Sequence, residues 1–261
     1  MDKNTLEIPV LYEDKDVVVI NKPAGLLVHG IFDKNGPKHN EETLVDWLAK
    51  KYPETKDVGD RDEDNLIKQQ RGGIVHRLDR YTSGVMVIAR NQKSFEYLKK
   101  LFQGRSIKKE YVALVWGRIH EKSGVIDKPI SIKDGTVKRT VFKGKMPREA
   151  VTEYETIGHY EHRQGKHTDE LTLVKVMPKT GRTHQIRVHF SSIGQSVAGD
   201  LLYGKKGPLE FESGEPLEKL NRQFLHAQQL SFTLPNDTKK VFTAELPSEL
   251  KQTLAQLKPL Q

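Results

Sequence analysis

This chain of 261 residues is predicted to adopt an antiparallel-rich α+β fold, on three observations. Its β-branched runs arrive mostly in pairs joined by short polar turns, the signature of hairpins. Only a few helical segments lie among them, so a doubly wound parallel sheet, which needs strict strand–helix alternation, is disfavoured. A Gly-bounded polar turn, Gly72 to Gly84, is flanked by apolar runs that read as buried strand.

Val10-Leu11-Tyr12 and Val17 to Ile20 are joined by Glu13-Asp14-Lys15-Asp16 and form the first hairpin. Asn21-Lys22-Pro23-Ala24-Gly25 breaks it, because Pro23 fixes φ and cannot donate to a ladder. Leu26 to His29 is expected to resume an extended path. Thr43 with Asp46 has the spacing of a capping box and opens a helix carrying Leu44, Trp47, Leu48 and Tyr52. Ile74-Val75 and Val85 to Ala89 are read as strands on either side of the polar turn. Asn91 caps a helix with Phe95, Leu98 and Phe102 on one face. Lys109 to Gly117 and Leu171 to Val176 are further strands, and Pro178 to Gly181 is a turn. Thr183 is expected to cap a helix burying Ile186, Phe190 and Ile193. Leu230 to Leu234 and Val241 to Leu246 flank Pro235-Asn236-Asp237 as a hairpin. A last helix, 247–258, opens at Pro247 and buries Leu250, Leu254 and Leu257.

The composition, 36% hydrophobic and 30% charged, is lean but normal for a protein with a sizeable core. No window approaches the ~18 apolar residues of a membrane span, and the start lacks a signal-peptide pattern, so a cytoplasmic protein is expected. The absence of cysteine excludes disulfides, zinc–thiolate sites and thiol nucleophiles. Lys and Arg (43) exceed Asp and Glu (35), a surplus of +8 compatible with a polyanionic partner such as nucleic acid. The acidic run Glu54 to Asp64 is the exception and is read as a solvated loop facing away from any such partner.

Within the polar turn, Asp79 lies between Arg77 and Arg80, with His76 just before. Flanking positive charge favours the carboxylate, which suits a nucleophile or base and not a proton donor. A surface salt bridge would need the same residues. A second cluster, Lys179 to His189, crowds Arg182, His184, Gln185 and Arg187 at a helix start, where free N–H groups favour anions. Arg187 lies beside the core-facing positions and could pair with a carboxylate from another loop. A basic helix start meeting solvent would look alike. A metal site from His76, His184, His189 and Asp79 is disfavoured, because His184 and His189 diverge by more than a right angle on a helix. Tyr111 is one aromatic in an apolar strand, and chemistry alone does not select it from eight tyrosines.

Four stretches, in order, resemble the pattern of the RluA family of RNA pseudouridine synthases. They are Val19 to His29 with its Asn-Lys-Pro-Ala-Gly core, His76 to Gly84, Lys109-Glu110-Tyr111, and Gly181 to His189. Gly199-Asp200-Leu201-Leu202-Tyr203-Gly204 and Leu225-His226-Ala227 are similar to late family segments. The resemblance spans about residues 6 to 246. It implies one catalytic domain over 1–261, in which two half-domains share a mixed, mostly antiparallel sheet with flanking helices and a central catalytic cleft. It also implies isomerisation of uridine in structured RNA, ribosomal or transfer, without metal or cofactor. The family's catalytic Asp falls on Asp79, its active-site Tyr on Tyr111 and its Asp-pairing Arg on Arg187. Arg77 matches the arginine that fills the gap left by an extruded base. His76, Arg80, Lys22, Arg182, His184 and Gln185 are the candidate RNA contacts, and the enzyme is expected to act as a monomer. A non-catalytic RNA chaperone on the same fold and a uracil-releasing hydrolase are the rival readings. Many relatives carry an S4-type RNA-binding domain ahead of the Lys-Pro segment, and none is expected here, since only 21 residues precede Lys22.

Overall fold

The computed structural model describes residues 6–30, 32–33, 36–37, 41–60, 72–136, 138–204, 206–211 and 217–260. The chain divides into two compact units, residues 1–107 with 229–244, and residues 108–228 with 245–261. Residues 61–64 of the expected acidic loop lie outside the described residues.

In the first unit, the hairpin Val10–Glu13 and Val17–Lys22 is antiparallel, and Val17–Lys22 pairs antiparallel with Ser83–Ala89. Val17 to Ile20 and Val85 to Ala89 are all buried, which explains their unbroken apolar runs: both faces of these strands are covered. Helix α1, Leu44–Lys51, has the expected capping box, with Thr43 and Asp46 bonding reciprocally. Helix α2, Gln92–Gln103, is capped by Asn91, whose side chain accepts from the Ser94 N–H at 2.9 Å. Phe95 and Leu98 of α2 join Val17, Val19, Val85, Val87, Leu230, Phe232 and Phe242 in one core. Each such side chain withdrawn from water contributes about 1.5–3 kcal/mol. The expected late hairpin is present, with Gln229–Thr233 antiparallel to Lys239–Thr243.

In the second unit, Lys108–Trp116 pairs antiparallel with His167–Pro178, which folds back on Val151–Gln164. The far edge of that strand takes Ser123–Asp127 and Lys258–Leu260, both antiparallel. A separate three-stranded sheet runs Lys145–Arg148, Ile130–Ile132, Arg139–Thr140. Helix α3 is Gln185–Ser192 and α4 is Ser248–Ala255.

Several expectations are corrected. Leu26 to His29 is not a strand; the Leu27 and Val28 carbonyls instead accept from the first N–H groups of α1. Ile74 makes a single bridge with Ile88 and no longer ladder. The cap position of α3 is His184, in a left-handed conformation (φ 58°), and not Thr183. Ile193 follows the last turn of α3 and is 38% exposed, since the helix stops before bringing it back to the core. The last helix ends at Ala255, and Lys258–Leu260 is strand, consistent with Pro259 having no N–H to continue a helix.

Candidate functional site

Asp79 lies in the first unit, half-buried, on a turn whose geometry is set by backbone bonds. The Thr82 N–H donates to the Asp79 carbonyl at 3.0 Å, and Leu78, Thr82 and Ser83 are buried on either side. Below the turn sits the fully buried Lys22. Its ammonium donates to the carbonyls of Pro23 (2.8 Å), Leu26 (2.9 Å) and Arg80 (3.1 Å). The Arg80 carbonyl also accepts from the Gly25 N–H at 2.9 Å, and the Arg80 Nε returns a bond to the Gly25 carbonyl at 3.0 Å. The Asn-Lys-Pro-Ala-Gly segment is thus stitched to the residue after Asp79. The Arg80 guanidinium pairs with Glu41 at 2.6 Å and lies 5.4 Å from the Tyr81 ring.

His76 Nε2 accepts from the Val87 N–H at 3.1 Å, and its ring stacks on Phe102 at 4.5 Å. Arg77 is exposed. Two acids of the expected solvated run hold basic neighbours: Glu54 pairs with Arg90 at 2.6 Å, and Asp60 with Lys99.

In the second unit, Tyr111 stands half-buried opposite Val176 and packs on the core of Ala113, Val115, Ile186 and Phe190. Arg187 on α3 is 7% exposed and grips the fully buried Asp200 with two bonds, Nε to Oδ2 at 2.7 Å and Nη2 to Oδ1 at 2.9 Å. Burial pushes the Asp200 carboxyl up. The Arg187 guanidinium and the Leu202 and Tyr203 N–H groups outweigh this and hold it below the usual carboxylate range. His184 Nδ1 lies 2.8 Å from the Tyr203 hydroxyl. The Arg182 Nε donates to the Glu149 carbonyl at 2.9 Å.

The Gln185 amide makes four bonds inside the protein. Its oxygen accepts from Thr180 Oγ1 (2.7 Å) and the Arg182 N–H (3.0 Å); its nitrogen donates to the Val151 carbonyl and Thr152 Oγ1, both at 3.0 Å. That saturates an amide, so Gln185 fixes the entry to α3. His189 is fully buried between Thr152 Oγ1 and the Lys128 carbonyl, each 2.9 Å away. The carbonyl can only accept, so Nε2 carries the proton; burial lowers the affinity of this ring for a second one.

Asp200 and the anchoring by Lys22 are what the sequence reading missed. Asp200 did carry a signal, a lone acid in the apolar run Ala198 to Leu202. Among the described residues no cluster of three or more His, Cys, Asp or Glu is arranged to hold a metal ion. Among those residues no helix is long and apolar enough to cross a membrane.

Residues 16–192 match the family model described as RNA pseudouridylate synthase. An "uncharacterized RNA pseudouridine synthase" of Aquifex aeolicus is 37% identical over 257 residues, covering 97% of this chain and 73% of that one. "Ribosomal large subunit pseudouridine synthase D" of Vibrio cholerae is 34% identical over 257 residues, covering 96% and 71%. Among solved structures, "Human RNA Pseudouridylate Synthase Domain Containing 4" superposes with a TM-score of 0.65 at 25% identity, over 96% of this chain and 94% of that one. "Human RNA Pseudouridylate Synthase Domain Containing 1" has a TM-score of 0.69 at 24% identity, over 100% and 92%, and shares the fold.

Proposed function

The chain belongs to the RNA pseudouridylate synthase family and isomerises uridine in RNA to pseudouridine, and from that premise we propose that Asp79, Tyr111 and Arg187 carry the reaction. The reaction breaks the bond between uracil N1 and ribose C1′ and joins C5 to C1′; the C5 proton leaves and N1 gains one. Electrons and atoms balance without an oxidant or transferred group. An anionic oxygen is needed whether it attacks C1′ or removes the C2′ proton, and Asp79 supplies it. Arg187 steadies that charge. Tyr111 stacks on the uracil, and its hydroxyl serves removal of the C5 proton. A base in folded RNA must first leave its stack at a cost of a few kcal/mol. Exposed Arg77 offsets part of that cost by entering the gap. Arg80, Arg182 and His184 act on RNA through phosphate contact, whereas His76 and Lys22, the latter fully buried and so not the RNA contact expected of it, act through the loops they hold. Ribosomal RNA is the proposed substrate, by the name of the Vibrio cholerae relative.

The observation that carries this reading is the Asp79 turn: a half-buried carboxylate on a backbone fixed from below by Lys22 and Gly25. The test uses RNA tritiated at uridine C5. The parent should release tritium, leave RNA mass otherwise unchanged and create a carbodiimide-reactive base. Asp79→Asn should lose on the order of 10³-fold or more, as removal of a nucleophile does, while still folding and binding RNA. Activity within about tenfold of the parent would remove Asp79 from its role.

A further inference from the structure

We propose that the loop Gly199–Gly204 is a clamp that sets the plane of the Arg187 guanidinium, with Asp200 as its principal positioning residue. The proposal rests on the reading that Arg187 serves the reaction. Every residue of the loop except the exposed Leu201 has a task visible in the structure. Asp200 meets the fork of Arg187 with both oxygens, at 2.7 and 2.9 Å. The same carboxylate accepts from the Leu202 and Tyr203 N–H groups at 2.9 and 3.1 Å, so it cannot rotate without losing bonds. The Tyr203 ring lies 5.2 Å from the guanidinium carbon, placing an aromatic against Arg187 while Asp200 holds its edge. The Tyr203 hydroxyl accepts from the Arg139 N–H at 2.9 Å and lies 2.8 Å from His184 Nδ1, and the Tyr203 carbonyl accepts from Ser191 Oγ at 3.0 Å. The loop is therefore tied to both ends of α3.

Glycine is required at both ends. Gly199 has φ +71°, and a Cβ there would stand 2.2 Å from the Arg222 carbonyl oxygen. A Cβ on Gly204 would stand 2.2 Å from the Asp200 carbonyl oxygen, which accepts the Gly204 N–H at 2.8 Å.

Stability alone is a poor reason for this arrangement. A buried ion pair recovers little more than its desolvation cost, and apolar residues of similar volume hold a fold as well. What a bidentate pair adds is direction. Asp200 also neutralises the guanidinium, so Arg187 acts through aimed N–H groups and not through surplus positive charge. A lysine, with the same charge and no fork, is then a poor substitute.

The test compares single-turnover rates and RNA dissociation constants of the parent chain, Asp200→Asn, Tyr203→Leu and Arg187→Lys, and of Asp200→Asn and Tyr203→Leu each on the Arg187→Lys background. Asp200→Asn should slow turnover on the order of a hundredfold, the scale of a small misplacement, with RNA affinity within about twofold of the parent. Tyr203→Leu should slow it about fivefold. On the Arg187→Lys background neither change should cost more, because both act through a guanidinium already gone. A merely structural role would instead multiply the losses, and that result overturns the proposal. So does a parent-like rate in Asp200→Asn while Arg187→Lys is slow. If Asp200→Asn does not fold, half-buried Tyr203 decides by the same two criteria. A parent-like rate in Arg187→Lys has a different meaning: it removes Arg187 from the reaction and sinks the reading beneath.

Discussion

Two buried cations are held in opposite ways. Lys22, in the first unit, gives its ammonium to three backbone carbonyls drawn from two loops; Arg187, in the second, gives its fork to one carboxylate. The difference follows from the side chains. A compact ammonium with rotatable donors can gather carbonyls converging from different directions, whereas a planar guanidinium matches a planar carboxylate. Lys22 therefore works as a stitch that fixes where the Asp79 turn sits. Arg187 works as an oriented group, and its orientation is the property worth conserving in any redesign.

Removing each cation should expose the contrast. Arg187→Ala leaves Asp200 buried without its counter-charge and is expected to lose roughly 3–5 kcal/mol in urea unfolding, with activity. An unchanged midpoint would mean that the pair contributes nothing to the fold. Lys22→Met leaves carbonyls unsatisfied, but a buried charge disappears with it, so the loss should be smaller, about 1–3 kcal/mol. If Lys22→Met proves the more costly, the carbonyl cage is the stronger of the two devices and the comparison inverts.

Acid should act on the second unit before it reaches the Asp200 pair. Burial holds His189 below the ordinary histidine range, so the unfolded chain binds the proton more readily. Its stability contribution is complete above the unfolded pKa of about 6.5 and is lost as pH falls from there toward the lower folded value. His159, also lowered chiefly by burial, adds in the same direction. Asp200, held low, keeps its contribution until pH falls below about 3.9. Urea midpoints should therefore fall between pH 7.5 and 5, and His189→Gln should flatten that slope. An identical slope in the variant would place the proton uptake elsewhere.

The smallest effect is expected at exposed Arg77. Arg77→Ala should slow single turnover several-fold more on a structured stem-loop than on an unstructured strand. Equal losses on the two substrates would show that Arg77 has no part in base extrusion.

The sequence was legible where a residue's neighbours in the chain decide its structure. The Thr43–Asp46 box, the Asn91 cap and the hairpin around Pro235-Asn236-Asp237 are local devices, and each is present. Val151–Gln164, the longest strand described, went unread. Its Glu, His and Arg residues stand on a largely half-exposed strand and blur the two-residue alternation. The Thr183 cap failed because Gln185 and His184 settle the entry to α3 through bonds to residues more than fifteen positions away. At the candidate site, Asp79 was visible as a charge pattern. Tyr111 and Arg187 needed the family resemblance to single them out. The Arg187–Asp200 pair closes across thirteen residues, and no local pattern announces it.

The two units are interleaved along the chain, and this bears on how the protein is made. The first unit takes residues 1–107 and then waits for 229–244, which bring Leu230, Phe232, Leu234, Phe242 and Ala244 to its core. The second must wait for Leu250 and Leu257. On a ribosome releasing about 5–20 residues per second, the first 107 residues stand for several seconds with an unfinished core. Neither unit can be completed before residues 229–244 and 245–261 emerge, so completion of both cores is expected late in synthesis and, resting on distant contacts, slowly. A nascent chain stalled at residue 228 would display two open hydrophobic faces at once and would be a natural client for chaperones.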